Sequence, residues 1–167
     1  TYIREVEGDP SSCSLRDVKR CLRLTRWAQD TFLRRARRKS LEGRSADSAS
    51  SSESQDMDFL MRSVVLGLAF VYYYRLGSMD ARVEYWSCIE SAVAFEPVRR
   101  AGLKLYDFHQ SGKLSTLLIK IQTSFVKHIE VEDGIAMNQA LSENLFVTII
   151  CILNRIPIFV VGKPGTS

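Results

Sequence analysis

Apolar residues recur three or four positions apart through most of the chain, which is the spacing of one face of an α-helix. The segments with this pattern are 14–39, 57–76, 81–95, 98–109, 113–128 and 137–153. In 113–128 the positions that we expect to face inward are Leu114, Leu117, Leu118, Ile121 and Phe125. The positions that we expect to face solvent there are Lys113, Thr116, Lys120, Gln122 and Lys127. The pattern therefore predicts a mainly α chain.

The first long helix has a recognisable start at Ser14. Ser14 can cap the first turn, and Asp17, three residues later, completes a pattern close to a capping box. We expect the apolar positions to continue along one side of this helix: Leu15, Val18, Leu22, Leu24, Ala28 and Phe32. The basic run 34–39 lies in its last turn, where cations interact favourably with the helix dipole. A nuclear-localisation or nucleic-acid role for that run is the alternative.

Two further helices are predicted in the middle of the chain. Between Arg62 and Arg75 lie twelve uncharged residues, whereas a membrane span needs about 20. The segment 57–76 is therefore expected to be a buried core helix. In 81–95 the positions that we expect to face inward are Val83, Trp86, Ile89 and Val93.

The segment Ser40–Asp56 has the composition of a disordered linker or insertion. It holds seven serines and four acids but no aromatic residue. Such a segment cannot bury enough apolar surface to offset the entropy that is lost on ordering. We expect it to be disordered and dispensable for stability.

The end of the chain has the order helix, strand, glycine-rich loop. After Asn144 the helix 137–153 is apolar almost all round, which is typical of a helix buried between two layers. The run 154–157 contains a proline and ends that helix. The strand Ile158–Val161 is apolar on both faces, which predicts the centre of a parallel sheet. This order is typical of the opening of an α/β nucleotide-binding domain.

The loop after that strand matches the first half of a phosphate-binding pattern, which is Gly, four residues, Gly, Lys, then Ser or Thr. Gly162 opens the loop, and Pro164 and Gly165 fit its interior. Ser167 stands where the second glycine normally does, and Lys163 is not the phosphate-gripping lysine. Backbone N–H groups of such a loop surround phosphate oxygens at a helix N-terminus. A tail rich in Gly and Pro is the alternative for these few residues.

Composition and charge narrow the class of protein only mildly. With 167 residues, 46% of them hydrophobic, the chain is long enough for one domain or for parts of two. The net charge is +4, but residues 14–39 hold ten Lys/Arg and only two acids. A nucleic acid or an acidic partner is one interpretation of that concentration, and a solvated helix face is the other. The four cysteines show no metal-binding spacing, which favours reduced thiols in a cytosolic protein.

No catalytic or metal-binding residue is predicted. The chain shows no zinc-ligand spacing, Cys–His arrangement or carboxylate pair, and His109 and His128 have no second ligand nearby. The chain shows no signal peptide, does not begin with Met and stops inside a motif, so we expect that it was cut from a longer protein. Without the phosphate-gripping lysine, the magnesium hydroxyl and the catalytic acid, the fragment alone is expected not to hydrolyse ATP.

Two stretches near the end of the chain resemble one family. Residues 134–146, GIAMNQALSENLF, and residues 155–167, RIPIFVVGKPGTS, look like the start of an ATPase module of the mysterin type. Proteins of that type are giant dynein-like AAA+ proteins with a RING-type ubiquitin ligase region. The serine at Ser167 is itself a feature of the resemblance. The string Ser14-Leu15-Arg16-Asp17 resembles the lid signature of dynein-like and midasin-like AAA+ modules, in which the arginine points at the γ-phosphate.

The resemblance implies a helical lid-like region in residues 1–129 with a disordered insertion at 40–56. It also implies that residues 130–167 are the truncated first part of an α/β domain, namely the first helix, strand and P-loop of a P-loop NTPase module. The residues implied to bind nucleotide are Gly162, Lys163, Pro164, Gly165, Thr166 and Ser167 in the loop, Gly134, Ile135 and Ala136 near the adenine, and Arg16. The complete module would use ATP and Mg²⁺.

The resemblance further implies ATP hydrolysis and ubiquitin transfer elsewhere in the parent chain. The partners it implies are neighbouring AAA+ modules of the same chain, a ubiquitin-conjugating enzyme and ubiquitylation substrates, without direct nucleic-acid contact or a transmembrane segment. A cytoplasmic location, association with lipid droplets and a role in antimicrobial defence follow in the same way. The alternative from the residues alone is a basic helical module that binds protein or nucleic acid and has no catalytic activity.

Overall fold

The computed structural model describes residues 2–8, 13–42, 52–93, 113–130 and 135–159. Within these ranges every regular element is helical, which confirms the prediction of a mainly α chain. The helices are α1 (Tyr2–Glu7), α2 (Leu15–Glu42), α3 (Ser52–Val71), α4 (Met79–Val93), α5 (Lys113–Val126) and α6 (Gln139–Asn154), with a 3₁₀ turn at Tyr73–Arg75. The helix predicted at 98–109 lies outside the described residues. The chain divides into two compact units, Thr1–Ile119 and Lys120–Ser167.

The core of the first unit lies between α2 and α3, which pack along each other. Leu24 and Ala28 of α2, and Leu66 and Ala69 of α3, are at most 1% exposed. The prediction that 57–76 contains a buried core helix is thereby confirmed. Along the described part of the chain, no helix has both the length and the apolar character needed to cross a membrane.

Gly67 marks the closest approach of α3 to α2. A Cβ atom at this position would lie 3.0 Å from the carbonyl oxygen of Cys21 and 3.4 Å from its sulfur, and it would overlap the hydroxyl oxygen of Thr25. Only glycine therefore fits this contact without a shift of one helix relative to the other.

The apolar positions of α2 form two rows, and the prediction of a single side is wrong. Leu24 and Ala28 are buried, whereas Leu15, Val18 and Leu22 are 70%, 42% and 57% exposed. At 3.6 residues per turn, two residues span roughly 200° of rotation, so Leu24 lies on the opposite side of the helix from Leu22. Only the row on the side of α3 is covered.

An aromatic cluster joins the 3₁₀ turn to α4. The ring of Tyr73 stacks on Trp86 with ring centroids 5.3 Å apart, and the ring of Tyr85 lies 5.1 Å from Trp86. The guanidinium carbon of Arg82 lies 5.0 Å from the centroid of the Tyr73 ring, which is a cation–π contact. The prediction that Val83 faces inward is wrong, because its side chain is 67% exposed while Tyr85 and Trp86 are buried.

Polar contacts connect α1 to the 3₁₀ turn and to α4. The hydroxyl of Tyr2 donates to the carbonyl oxygen of Ala81 at 3.0 Å and lies 3.2 Å from Oε2 of Glu84. Arg75 forms an ion pair of 2.8 Å with Glu7. These contacts come from residues more than 60 positions apart in sequence, so α1 belongs to the same folded unit as α4.

The helices on either side of the serine-rich segment extend into it. The helix α2 continues to Glu42, and α3 begins at Ser52. No glycine or proline interrupts either extension, so an established helix can propagate through these residues. The prediction of disorder throughout Ser40–Asp56 is therefore too broad at both ends, and residues 43–51 lie outside the described ranges.

In the second unit, α6 packs on the end of α5. The rings of Phe125 and Phe146 meet edge to face with centroids 5.7 Å apart. Gln122 is 8% exposed, and its amide nitrogen donates to the hydroxyl of Ser142 at 3.1 Å. The prediction that Gln122 faces solvent is wrong, because Ser142 supplies a hydrogen-bond partner for the buried amide. The five predicted inward positions of α5 are all buried: Leu114, Leu117, Leu118, Ile121 and Phe125.

Both ends of α6 are defined by hydrogen bonds. The side chain of Asn138 accepts a backbone N–H of the first turn at 2.8 Å. At the other end, Arg155 has a left-handed backbone with φ of 53°, and the N–H of Ile156 donates to the carbonyl oxygen of Cys151 at 2.9 Å. The predicted break of the helix at 154–157 is confirmed.

Burial of α6 is one-sided, contrary to the prediction of a helix covered all round. Phe146 and Ile150 are fully buried, but Ile152 and Leu153 are 69% and 52% exposed. The predicted strand starts at Ile158, yet no strand pairing is present among the described residues, and the rest of that strand lies outside them. Since a β-sheet needs a hydrogen-bonded neighbouring strand, the described residues after α6, which end at 159, form no sheet.

Candidate functional site

The first turn of α2 is held by a reciprocal pair of groups. The backbone N–H of Ser14 donates to Oδ2 of Asp17 at 3.0 Å, and the hydroxyl of Ser14 donates to the same oxygen at 2.8 Å. The N–H of Asp17 lies 3.4 Å from the hydroxyl oxygen of Ser14. The hydrogen bond from the backbone of Ser14 lowers the pKa of the Asp17 carboxyl from its usual value. The predicted capping box is confirmed, and it constrains the turn that carries Arg16.

Arg16 lies exposed between the two members of this box. Within the described ranges, no carboxylate forms an ion pair with its guanidinium. A cation beside the N-terminus of a long helix, where backbone N–H groups carry partial positive charge, favours the approach of an anion. The position is therefore suited to contact a phosphate group.

Residues outside α2 contact the segment that holds the capping box. A guanidinium nitrogen of Arg4 donates to the carbonyl oxygen of Cys13 at 2.9 Å, and the thiol of Cys13 lies 3.9 Å from the hydroxyl oxygen of Tyr72. Burial raises the pKa of the Tyr72 hydroxyl. The charge of Arg75 adds to the lowering of the Asp17 pKa. Sequence reasoning missed this support because Arg4, Tyr72 and Arg75 lie outside α2 and form no local pattern with the capping box.

A second group of candidates lies just before α6. Ile135 is 52% exposed, and Ala136 is exposed as well. The carbonyl oxygen of Ala136 accepts the N–H of Asn138 at 2.9 Å, so a tight turn leads into the cap of α6. Gly134 lies outside the described residues. The exposed side chain of Ile135 leaves apolar surface that a flat apolar ligand could cover.

The remaining predicted site residues, Gly162, Lys163, Pro164, Gly165, Thr166 and Ser167, lie outside the described residues. Arg16 belongs to the first compact unit, and Ile135 and Ala136 belong to the second, so they form two separate groups of candidates. Across the described ranges, no three His, Cys, Asp or Glu side chains come together as a metal site would require.

Comparison with known proteins gives consistent matches. Residues 134–167 match the family described as the RNF213 AAA domain. The E3 ubiquitin-protein ligase RNF213 of Mus musculus is 30% identical over 168 residues, and that of Homo sapiens is 30% identical over 166 residues. The E3 ubiquitin-protein ligase rnf213-beta of Danio rerio is 27% identical over 169 residues. Each alignment covers 99% of this chain. No solved structure matches the chain.

The chain spans about 3% of the length of the curated relatives that it matches. The family match begins at Gly134, where the GIAMNQ string begins, and it continues through α6 and the glycine-rich loop. The alignments to the relatives also include the Ser14–Asp17 string at the other end of the chain, because they cover almost all of it. Over almost its whole length the chain is therefore similar to a segment of RNF213, a protein of the mysterin type, and residues 134–167 match the AAA domain of that family.

Proposed function

We propose that this chain is part of an AAA+ ATP-hydrolysing motor within a giant ubiquitin ligase. The observation that carries the proposal is the match of residues 134–167 to an AAA domain family. That match covers the helix α6, the apolar run 158–161 and the loop that opens at Gly162. The relatives are named E3 ubiquitin-protein ligases, which supports ubiquitin transfer as an activity of the whole protein.

Residues 130–167 contribute one wall of a nucleotide site in this proposal. The backbone N–H groups of loop 162–167 surround the phosphates of ATP, whose charge Mg²⁺ helps to neutralise in the complete module. Gly134 lets the backbone approach the base, and Ile135 covers its apolar face. The support in the structure is the exposure of Ile135 in the turn before α6.

Residues 1–129 serve as the lid of the preceding AAA+ module, and Arg16 acts on the nucleotide that this module holds. Its guanidinium donates charge-assisted hydrogen bonds to oxygens of the γ-phosphate, where negative charge is concentrated during hydrolysis. The capping box between Ser14 and Asp17 supports this role, because it constrains the turn on both sides of Arg16. An arginine engaged in an ion pair would be less available, and none is found within the described ranges.

The rest of the proposal rests on the family alone. The partners are the neighbouring AAA+ modules of the same chain, a ubiquitin-conjugating enzyme and the ubiquitylation substrates. The place of action is the cytoplasm with its lipid droplets, and the wider role is antimicrobial defence. A basic helical interaction module is the second candidate, and the exposed cations along α2 favour it.

A protein extended through the complete downstream module tests the first candidate. Isothermal titration calorimetry with ATP should show that Gly134→Val and Ile135→Asp each weaken binding by about tenfold or more, because the valine side chain would keep the backbone away from the base and the aspartate would replace the apolar surface that covers it. The matched control is Val83→Asp, which alters another exposed apolar side chain in the first unit and should leave ATP affinity unchanged.

The outcomes separate the candidates. Normal ATP affinity in both variants would show that the turn at 134–136 is structural and that the adenine site lies elsewhere. An extended protein without any ATP binding would contradict the motor and leave the interaction module as the better account.

A further inference from the structure

The exposed side of α2 carries an apolar row that no described residue of the chain buries. Leu15, Val18 and Leu22 are 70%, 42% and 57% exposed, so each of the three side chains has substantial surface in contact with water. They stand three and four residues apart, which places them one above the other along two turns of the helix. Single exposed apolar residues are ordinary, but three in register form a continuous strip.

A basic row runs directly beside this apolar row. Lys19, Arg23 and Arg26 are all exposed. Lys19 follows Leu15 by four residues and Arg26 follows Leu22 by four, so these two cations each lie next to a leucine on the helix surface, and Arg23 lies between them in the basic row. We call the two rows together the docking face, which extends over about 17 Å at 1.5 Å per residue.

In the part of the chain that the structure describes, no acid neutralises the charge of the docking face. Within the described ranges, none of the three cations forms an ion pair, and Asp30, one turn beyond Arg26, is the nearest acid on this side of α2. Lys19 and Arg23 are four residues apart and repel each other on the helix surface. A partner with carboxylates opposite the basic row would relieve this repulsion.

We propose that the docking face binds an acidic amphipathic helix of a partner protein. The apolar row is one residue wide, which matches the narrow seam of two packed helices, and flanking charges of opposite sign would set the partner and its orientation. An anionic membrane would require a wider apolar face, and the wider apolar face of α2 is already buried on the side of α3. A nucleic acid would use the basic row but would leave the leucines facing phosphates.

The binding of synthetic peptides to the 167-residue chain tests the proposal, and no nucleotide is needed. The first peptide is a helix with leucine at heptad positions a and d and glutamate at e and g. The second has lysine in place of each glutamate, and the third has glutamine in place of each leucine. Fluorescence anisotropy should give an affinity for the first peptide that is about tenfold or more above the other two, because only the first matches both rows. Adding salt to about 0.15 M should weaken the binding of the first peptide relative to a low-salt buffer, because salt screens the charges of both partners.

Two variants assign the binding to the docking face. Leu15→Gln with Leu22→Gln, and Lys19→Glu with Arg23→Glu, should each lower the affinity for the first peptide by about tenfold or more. The matched control is Met79→Gln with Val83→Gln, which changes two exposed apolar residues of α4 and should leave the affinity unchanged. If the double leucine variant does not fold, as judged by circular dichroism, Leu22→Gln alone replaces it.

Several results would overturn the proposal. Equal affinity for the glutamate and lysine peptides would mean that the basic row takes no part. Tighter binding to vesicles of phosphatidylserine and phosphatidylcholine would assign the face to a membrane. Binding of duplex RNA that depends on Lys19 and Arg23 but not on the leucines, without binding of the acidic peptide, would assign it to nucleic acid. Because ATP is absent from every arm, a failure here leaves the proposed motor function untouched.

Discussion

Replacing Gly67 by alanine places a methyl group at the closest approach of α2 and α3. Built on the existing backbone, that methyl overlaps the hydroxyl oxygen of Thr25 and lies 3.0 Å from the carbonyl oxygen of Cys21. The carbonyl group belongs to the backbone of α2 and cannot rotate aside. The two helices must therefore separate to accommodate the methyl group.

Two opposing contributions to the free energy of unfolding determine the result. Alanine in place of glycine inside a helix is favourable by about 1 kcal/mol. An extra methyl group in a close-packed contact costs about 1–3 kcal/mol. Because part of the contact at Gly67 is with backbone, we expect the cost to lie near the top of that range. The net loss of stability should then be about 1–2 kcal/mol, which lowers the Tm of a domain of this size by several degrees.

Urea denaturation followed by tryptophan fluorescence measures this loss, since both tryptophans, Trp27 and Trp86, belong to the first compact unit. The matched control is Gly77→Ala, where a Cβ atom would meet nothing within 4 Å. That substitution should stabilise by about 0.4–1 kcal/mol, because it restricts the unfolded chain. If Gly67→Ala raises the free energy of unfolding as much as Gly77→Ala does, the close contact described between α2 and α3 does not exist.

Two further predictions follow from the same structure, and two more rest on the proposed function. Asp17→Asn should lower the free energy of unfolding by about 1 kcal/mol at neutral pH through loss of the capping box. Because the folded pKa of Asp17 is lowered, the stability difference between the two proteins is present above the unfolded pKa of about 3.9 and should vanish as the pH falls through the folded pKa. Urea midpoints measured across this pH range check the prediction. Trp86→Ala should cost about 3–5 kcal/mol in thermal melting because it removes a buried ring, whereas Val83→Ala, which is exposed, should cost under about 0.5 kcal/mol. Arg16→Ala in the parent protein should slow ATP turnover by the preceding module, and unchanged turnover with a lowered Tm would assign Arg16 a structural role instead. The 167-residue chain alone should show no ATPase activity above buffer in a phosphate-release assay, and measurable turnover would contradict that expectation.

Features that depend on neighbouring residues could be predicted from the sequence. The capping box needs only Ser14 and Asp17 three positions apart, and the structure shows its hydrogen bonds. The five inward positions of α5 repeat at helical spacing, and all are buried. Arg16 could be named as a candidate because the string of four adjacent residues that contains it resembles a known lid signature, and its role stays a prediction.

Features that depend on what covers a surface could not be predicted. The rows of α2 that contain Leu22 and Leu24 are similar in composition, and only the position of α3 decides which one is buried. Gln122 is polar and would ordinarily face solvent, but Ser142, twenty positions away, gives its amide a partner inside the unit. Val83 and Trp86 fit the same helical spacing, yet only Trp86 is buried, because the ring of Tyr73 stacks on it while Val83 stays exposed.

The end of α6 shows redundancy, which has a consequence for sequence variation. Two devices act there: one C-cap motif, in which the left-handed backbone of Arg155 lets the N–H of Ile156 donate back to Cys151, and Pro157, which cannot continue a helix. The side chain of Arg155 takes part in neither of them, so glycine or asparagine at that position would keep the same path with less backbone strain. The direction in which the chain leaves α6 should therefore tolerate the loss of either device. Single substitutions at 155–157 should change the residues of this segment without changing its backbone path.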